Sequence, residues 1–246
     1  MLQAGAPGFD RLPFDGTSLV FRRGKMGKLI VIEGTDGAGK STQAPMAAEE
    51  MRRNNKNKEV CEVSFPRYDT PTGAVISEYL AGGYGDFGRD SAYGISAVYA
   101  FDRLASFKND PWGRVYNSGG TVLATRYTTS NMIYQTAKLE KSEWGEYIDW
   151  LCEFEYEKLS LPKPNMTVLL DMPCDVAQRL MSRRYGGDEG KKDIHERNTA
   201  YLQLCRETAL FAAERCGFII IPCSENGEAR SIQDIHRDIM AVISKE

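Results

Sequence analysis

A chain of 246 residues is long enough to bury a sizeable core, and one α/β domain with an appended or inserted lid accounts for that length. Lys plus Arg number 31 against 34 Asp plus Glu, a formal charge of −3, which speaks against a nucleic-acid binder with its basic excess or stripe. Six scattered cysteines lack metal-knuckle spacing and read as reduced core thiols, and no apolar run reaches the roughly 18 residues of a membrane span. The start carries no apolar secretory core, so the expectation is a cytoplasmic enzyme without a membrane partner.

Residues 1–26 show no helical or strand period and read as a mobile extension, with Met26 a natural beginning for the folded part. The apolar run Leu29–Ile32 ends in Glu33 and reads as a buried strand. Gly34, four further residues, Gly39, Lys40 and Ser41 follow, and a helix is expected from Thr42 to about Asn54. Pro45 fits that helix only if its missing N–H falls close to the helix start. Val60–Phe65 reads as strand, Pro66–Pro71 as loop and Ala74–Leu80 as a short helix. A glycine-rich passage leads to a helix beginning near Ser91 or Ala92, broken at Asp110-Pro111-Trp112-Gly113. Thr121–Ala124 is the next strand, with helical regions over about 130–139 and 147–159. Met166–Asp171 is strand, 176–184 helix, 185–192 an exposed charged segment and about 198–216 helix. Phe218–Ile221 is the last strand, and Ile232, Ile235, Ile239, Val242 and Ile243 mark a closing amphipathic helix.

Five short apolar strands separated by helices imply an α/β, three-layer P-loop fold: a parallel sheet flanked by helices, with a short mobile lid. The run from Gly34 to Ser41 is the full pattern of a phosphate-binding loop. Its glycines let successive N–H groups point inward at phosphates, and the helix that follows offers its own unpaired N–H groups to the same charge. Gly34, Asp36, Gly37, Ala38, Gly39, Lys40, Ser41 and Thr42 are therefore expected to hold ATP. Lys40 would bridge the outer phosphates, and the Ser41 hydroxyl would take one position around Mg²⁺.

Ligands of such folds collect at the carboxyl ends of the strands, where Arg67 and Arg126 fall. Arg103 lies in the helix after Ser91, and Arg183 and Arg184 open a Gly-rich basic segment that reads as a lid over about 183–195. Phosphoryl transfer between two nucleotides needs such cations, which cancel repulsion and stabilise charge spreading over the transferred group.

The sequence resembles the thymidylate kinase family through Phe65-Pro66-Arg67-Tyr68, then Tyr99-Ala100-Phe101-Asp102-Arg103, then Arg126-Tyr127-Thr128-Thr129-Ser130-Asn131-Met132-Ile133-Tyr134, in that order after GTDGAGKSTQ. The resemblance covers 28–246 and is closest to bacterial members with a basic lid. It implies transfer of the γ-phosphoryl of ATP to dTMP with Mg²⁺, on a five-stranded parallel sheet in one kinase domain over 27–246, as a homodimer. It also implies that Tyr99 stacks on thymine, Arg103 reaches its O4, Asn131 reads the base edge and Tyr134 lies beneath the sugar. Asp36 would sit near the sugar 3′-OH, with Phe65, Pro66, Arg67, Tyr68 and Arg126 around the rest of dTMP. Glu196 would return from the lid toward substrate or metal, and Lys40, Arg126, Arg183 and Arg184 would form the catalytic cations. Gly37 stands where some members carry a loop arginine. Aromatics beside Arg103 and Asn131 independently suit a thymine pocket, while Phe101 and Ile133 read as core.

One departure concerns the metal. The family's usual Asp-Arg at the third strand end is Thr125-Arg126 here, and a neutral threonine neither offsets Mg²⁺ nor fixes an arginine by a charge-assisted bond. Glu33, Asp36 or Glu196 is then expected to supply negative charge, through water. His195 and His236 read as solvated or edge residues, because an anionic acceptor phosphate needs alignment more than proton removal. The competing readings are a deoxynucleoside kinase, another nucleoside monophosphate kinase, and a nucleotide-binding regulator of weak catalysis.

Overall fold

The computed structural model describes residues 26–54, 58–85, 88–184 and 199–245, the side chains of Asp90, Arg183 and Arg184 excepted. Of the sequence expectations, residues 1–25, the lid beyond Arg184, His195 and Glu196 lie outside the described residues.

Strand β1 (Lys28–Glu33) alternates its side chains across the sheet. Leu29 and Val31 enter one apolar cluster, Ile30 and Ile32 the cluster on the opposite face, and all four are buried. Such two-sided burial belongs to a central strand of a parallel sheet. The other strands are β2 (Val60–Ser64), β3 (Thr121–Thr125), β4 (Met166–Asp171) and β5 (Ile219–Pro222), and the five line up as β2-β3-β1-β4-β5. Every pairing among them is parallel, with Ile32 beside Thr125 on one flank and beside Val168 on the other. A short antiparallel hairpin, β6 (Ser224–Glu225) with β7 (Glu228–Ala229), follows the last of them. The expected α/β architecture is therefore present.

The helices are α1 (Lys40–Asn54), α2 (Pro71–Leu80), α3 (Ala92–Asn109), α4 (Pro111–Asn117), α5 (Thr128–Tyr134), α6 (Trp144–Cys152), α7 (Cys174–Arg184), α8 (Thr199–Cys216) and α9 (Ile232–Ile243). One sheet face packs on Ala44, Ala47, Ala48 and Met51 of α1 and on Ile235 and Ile239 of α9. The other meets Trp112, Val115 and Tyr116 of α4, with Phe65 and Tyr127.

Four features differ from the sequence reading. Helix α1 begins at Lys40, so Pro45 lies inside it, one turn past the start, and forfeits the bond its N–H would have made to the Ser41 carbonyl. Asp110-Pro111 ends α3 but also opens α4, because proline suits a first helical turn; Trp112 is buried as a result. The helix after Tyr147 changes pitch: α6 stops at Cys152 and a π-helical turn runs over Glu153–Lys158. Phe101 is 59% exposed rather than core, because Ala100, Asp102 and Arg103 take the inward face of α3; Ile133 is fully buried. Among the described residues, no helix is long and apolar enough to cross a membrane.

Candidate active site

The turn leaving β1 is held by its own side chains. Gly37 and Gly39 adopt φ of 80° and 94°, in the left-handed region open to glycine. At Gly37 a Cβ would also meet the Ala177 carbonyl at 2.9 Å, so α7 occupies the room that a loop arginine would need. Lys40 opens α1 and folds back, its Nζ donating to the carbonyls of Gly34 at 2.7 Å and Thr35 at 2.8 Å. Ala38 is buried beneath the turn, while Ser41 and Thr42 are exposed on the first turn of the helix. Glu33, fully buried, accepts from the Gly34 N–H at 3.0 Å and from the Thr129 and Ser130 hydroxyls, each at 2.7 Å. That carboxylate fastens the loop to the first turn of α5. Both its oxygens are engaged, while Ser41 at the start of α1 is exposed.

Arg126 leaves β3 with φ of 63°, a strained conformation for a residue with a side chain. Its backbone N–H donates to the Ile32 carbonyl at 3.2 Å, and its guanidinium pairs with Asp36 and lies 4.0 Å from Glu33. The same guanidinium sits 5.2 Å from the centre of the Tyr134 ring, whose hydroxyl donates to Asp36 at 2.9 Å. Burial alone would pull the Arg126 pKa down; Tyr134, Asp36 and Glu33 more than offset this and hold it well above the ordinary value. The Asp36 carboxylate also lies 4.0 Å from Lys40 Nζ. Asp36 thus touches both the lysine of the loop and the arginine of the next strand end.

Beside this junction opens a cavity of about 230 Å³. Its wall includes Asp36, Phe65, Pro66, Tyr68, Tyr99, Arg103, Arg126, Asn131 and Tyr134, nine residues singled out from sequence. Arg103 is 1% exposed, and Glu155 accepts its Nε at 2.7 Å and its Nη2 at 2.5 Å. Glu155 also accepts from the Thr128 hydroxyl at 2.8 Å. Desolvation works against the charge on Arg103, but Glu155 raises its pKa above the ordinary value, so it presents a fixed cation. Burial pushes the Tyr99 hydroxyl up, leaving a neutral ring in the wall. Asn131 donates to the Ser96 carbonyl at 3.3 Å.

Arg67 is not part of that wall. Its guanidinium turns to Asp110 and to Ser106 at 3.4 Å, and its backbone N–H donates to Asp102 at 2.9 Å. Asp102 also accepts from Thr72 at 2.5 Å, so it pins the loop between β2 and α2. Arg183 and Arg184 end α7, their side chains outside the described residues along with Glu196.

Leu80, Tyr127, Ser130 and Gln135 also line the cavity and were not singled out from sequence. Gln135 is 1% exposed, with its side-chain carbonyl oxygen lacking a hydrogen-bond partner. Gln135 directly follows Tyr134, and its position one residue beyond the aromatic is the signal that was available.

The family model for thymidylate kinase matches residues 32–239. A thymidylate kinase of Mycobacterium tuberculosis (strain CDC 1551 / Oshkosh) is 32% identical over 192 residues, covering 75% of this chain and 84% of that protein. A probable thymidylate kinase of Thermococcus gammatolerans is 32% identical over 225 residues, 90% of this chain and 98% of the relative. A solved thymidylate kinase structure from Candida albicans superposes with a TM-score of 0.66 at 21% identity, over 89% of this chain and 92% of that one, a likeness of fold. With a matching family model across the sheet and its helices, and relatives matched over nearly their whole length, the chain belongs to the thymidylate kinase family.

Proposed function

We propose that this protein transfers the γ-phosphoryl group of ATP to dTMP, giving ADP and dTDP. The observation that carries the reading is the shared wall: Asp36 and Arg126 border the acceptor cavity, and Asp36 also stands beside the loop lysine. Two anionic substrates meeting there face Lys40 on the donor side and Arg126 at the junction. Their repulsion is cancelled where the transferred group passes. A dTMP phosphate oxygen then attacks the γ-phosphorus in line, the bond to ADP breaks, and no covalent enzyme intermediate is needed.

Each side chain has a part in this reading. The loop amides from Gly34 to Thr42 and Lys40 cradle the ATP phosphates. Tyr99 and Phe65 supply aromatic area for thymine, Arg103 a donor for its O4, and Asn131 and Gln135 polar edges for the base. Tyr134 takes the place beneath the sugar and Tyr68 faces the phosphate, while Arg67, its guanidinium on Asp110, would have to turn to reach it. In this reading one kinase domain covers 27–246, and the part of the expected 183–195 lid beyond Arg184 lies, with Glu196, outside the described residues. The exposed Ser41 hydroxyl at the start of α1 and the partly exposed Asp36 carboxylate suit a hard cation with oxygen ligands. Ser41 would hold Mg²⁺ directly and Asp36 through water; when bound, the ion neutralises phosphate charge.

A homodimer is supported by one face of α3. Phe101 is exposed there with the smaller Gly94 and Ala97 on the same side of the helix, and Tyr93, partly exposed, has its ring edge-on to Tyr147 and Trp150. An uncovered apolar helix face with small residues in its middle lets a second copy approach closely.

The test of function is a panel of dTMP, dUMP, dCMP, dGMP, UMP and thymidine with ATP and Mg²⁺, scored by ADP release. Strong turnover of dTMP is expected, and failure to phosphorylate any monophosphate would reject the reading. Arg103→Ala should raise the KM for dTMP far more than that for ATP, and should also destabilise the fold by about 3–5 kcal/mol because Glu155 is left buried and unpaired. Adding Glu155→Gln should restore much of the urea midpoint without restoring the dTMP KM, whereas joint recovery of both would make Arg103 merely structural. Thr125→Asp should shift the Mg²⁺ titration to lower concentration; an unmoved curve would show that no charge is missing there. Phe101→Glu should halve the mass measured by light scattering, and an unchanged mass would place the dimer surface elsewhere.

A further inference from the structure

Arg67 stands between two residues of the acceptor cavity, Pro66 and Tyr68, yet its guanidinium lies on Asp110. Its backbone is fastened on several sides. The N–H donates to Asp102 at 2.9 Å, and the carbonyl accepts from the Thr70 N–H at 3.0 Å and from the Thr70 hydroxyl at 2.7 Å. The start of α2 presses on the same carbonyl, which a Cβ on Gly73 would meet at 1.7 Å. Only the side chain is left to choose a position. Oδ2 of Asp110 receives both Arg67 Nη1 and the Ser106 hydroxyl, and Ser106 in turn accepts from Trp112 Nε1 at 2.8 Å. The exposed Asp69 carboxylate lies 3.6 Å from Arg67 Nε. The Arg67–Asp110 pair is itself about a quarter exposed, with side chains at 25% and 23%.

We propose that Asp110 is a positioning residue that acts on the acceptor through Arg67: it holds the guanidinium off the cavity as a resting counter-ion, and the phosphate of dTMP binds by drawing Arg67 away from it. Asp110 has a second position available. It is the N-cap residue of α4, with the extended backbone of such a residue (φ −92°, ψ 161°) and Pro111 next to it, yet its side chain makes no cap bond. A cap carboxylate ordinarily accepts the N–H of the second or third helical residue, here Trp112 or Gly113. Oδ1 carries neither Arg67 nor Ser106, so the carboxylate can turn that oxygen to α4 while Ser106 keeps hold of Oδ2. Departure of Arg67 therefore leaves Asp110 with a replacement partner.

The exchange favours the phosphate by charge. A carboxylate offers one negative charge, whereas a phosphate monoester approaches two near neutral pH, spread over oxygens that suit the paired N–H groups of a guanidinium. With the Arg67 backbone fixed at the cavity edge, the transfer needs only side-chain rotation, which is fast beside turnover. The competition falls on dTMP alone. Every dTMP must displace Asp110, so its affinity lies below what the cavity and a released Arg67 would give. Thymidine carries no phosphate and leaves Arg67 where it is. The inference rests on the reading in which Arg67 serves the dTMP phosphate.

The experiment titrates the full chain calorimetrically with dTMP and with thymidine, each without ATP. Asp110→Asn and Asp110→Ser both keep a capping group on α4 and remove the charge. Each should bind dTMP about three- to fivefold more tightly than the wild type, the order expected on releasing a partly exposed ion pair, and should bind thymidine as the wild type does. Arg67→Ala should weaken dTMP alone, and Asp110→Asn added to it should change nothing further. Weaker dTMP binding by both Asp110 variants would overturn the proposal, since Asp110 would then hold Arg67 in its working position. An unmoved dTMP affinity, or an equal gain for thymidine, would overturn it too. In the wild type the Trp112 indole N–H reports the same network through Ser106. Its nitrogen resonance should shift with dTMP and not with thymidine, and no shift at saturating dTMP would overturn the transfer of Arg67 even where the variants fail to fold. Failure of the Arg67 assignment shows separately, as wild-type dTMP affinity in Arg67→Ala, and failure of the kinase reading shows in the monophosphate panel.

Discussion

The contact on which this site depends is the Asp36 carboxylate, which receives Arg126 on one oxygen and the Tyr134 hydroxyl on the other. Asp36 belongs to the phosphate loop after β1; Arg126 and Tyr134 belong to the corner between β3 and α5. Parallel pairing of β1 with β3 puts the two strand ends side by side, since Ile32 and Thr125 are register partners. The sheet thus delivers two loops to one place, and Asp36 fixes their relative position to within the tolerance of a charge-assisted bond. Glu33 repeats the connection one layer deeper, through Thr129 and Ser130. With both carboxylates engaged, the phosphate loop and the cavity wall are held in one fixed arrangement, as in-line transfer requires.

Arg103 raises a different energetic question. A buried Arg–Glu pair is a poor source of stability, because desolvating both ions consumes most of their mutual attraction, and a well-packed apolar pair would serve the fold as well. The pair sits in the wall of the cavity, where Arg103 Nη1 also donates to the Tyr127 carbonyl at 3.4 Å. A guanidinium with two of its N–H groups on Glu155 has lost most of its rotamer freedom before any ligand arrives. The entropy of ordering that side chain is therefore spent in folding rather than in binding. The wide turn at Glu153–Lys158 belongs to the same arrangement, since it is the local irregularity that carries Glu155 into the core.

Much of this was legible in the sequence, and the parts that were not share a cause. Five strands could be read because central parallel strands are apolar on both faces, a local property of runs such as Leu29–Ile32 and Met166–Asp171. The phosphate loop could be read because its glycines answer a local backbone demand. Residues whose roles depend on distant partners were hidden. Glu155 looks like one of several glutamates on a solvated helix face, and only Arg103, 52 residues away, makes it a buried clamp. Phe101 lies on a helix with two apolar faces, and nothing local says which face the chain itself covers. Proline at 111 carries both a stop and a start signal, and it was read as a stop alone. Arg67 was placed from its strand-end position, but Asp110, brought near by the α3–α4 corner, turns its guanidinium away from the cavity wall.

The same reasoning shows what the neutral residue at 125 changes and what it leaves alone. A carboxylate at that strand end has two tasks: to hold the following arginine and to contribute charge toward a cation. Here the first task is already performed, because Asp36, Glu33 and the Tyr134 ring surround the Arg126 guanidinium and raise its pKa despite burial. The backbone of Arg126 is held as well, by its N–H on Ile32 and by the strained φ of 63° that the corner imposes. Losing a carboxylate at 125 therefore removes charge without removing order. Any functional consequence falls on charge toward a cation, while the contacts that hold Arg126 persist.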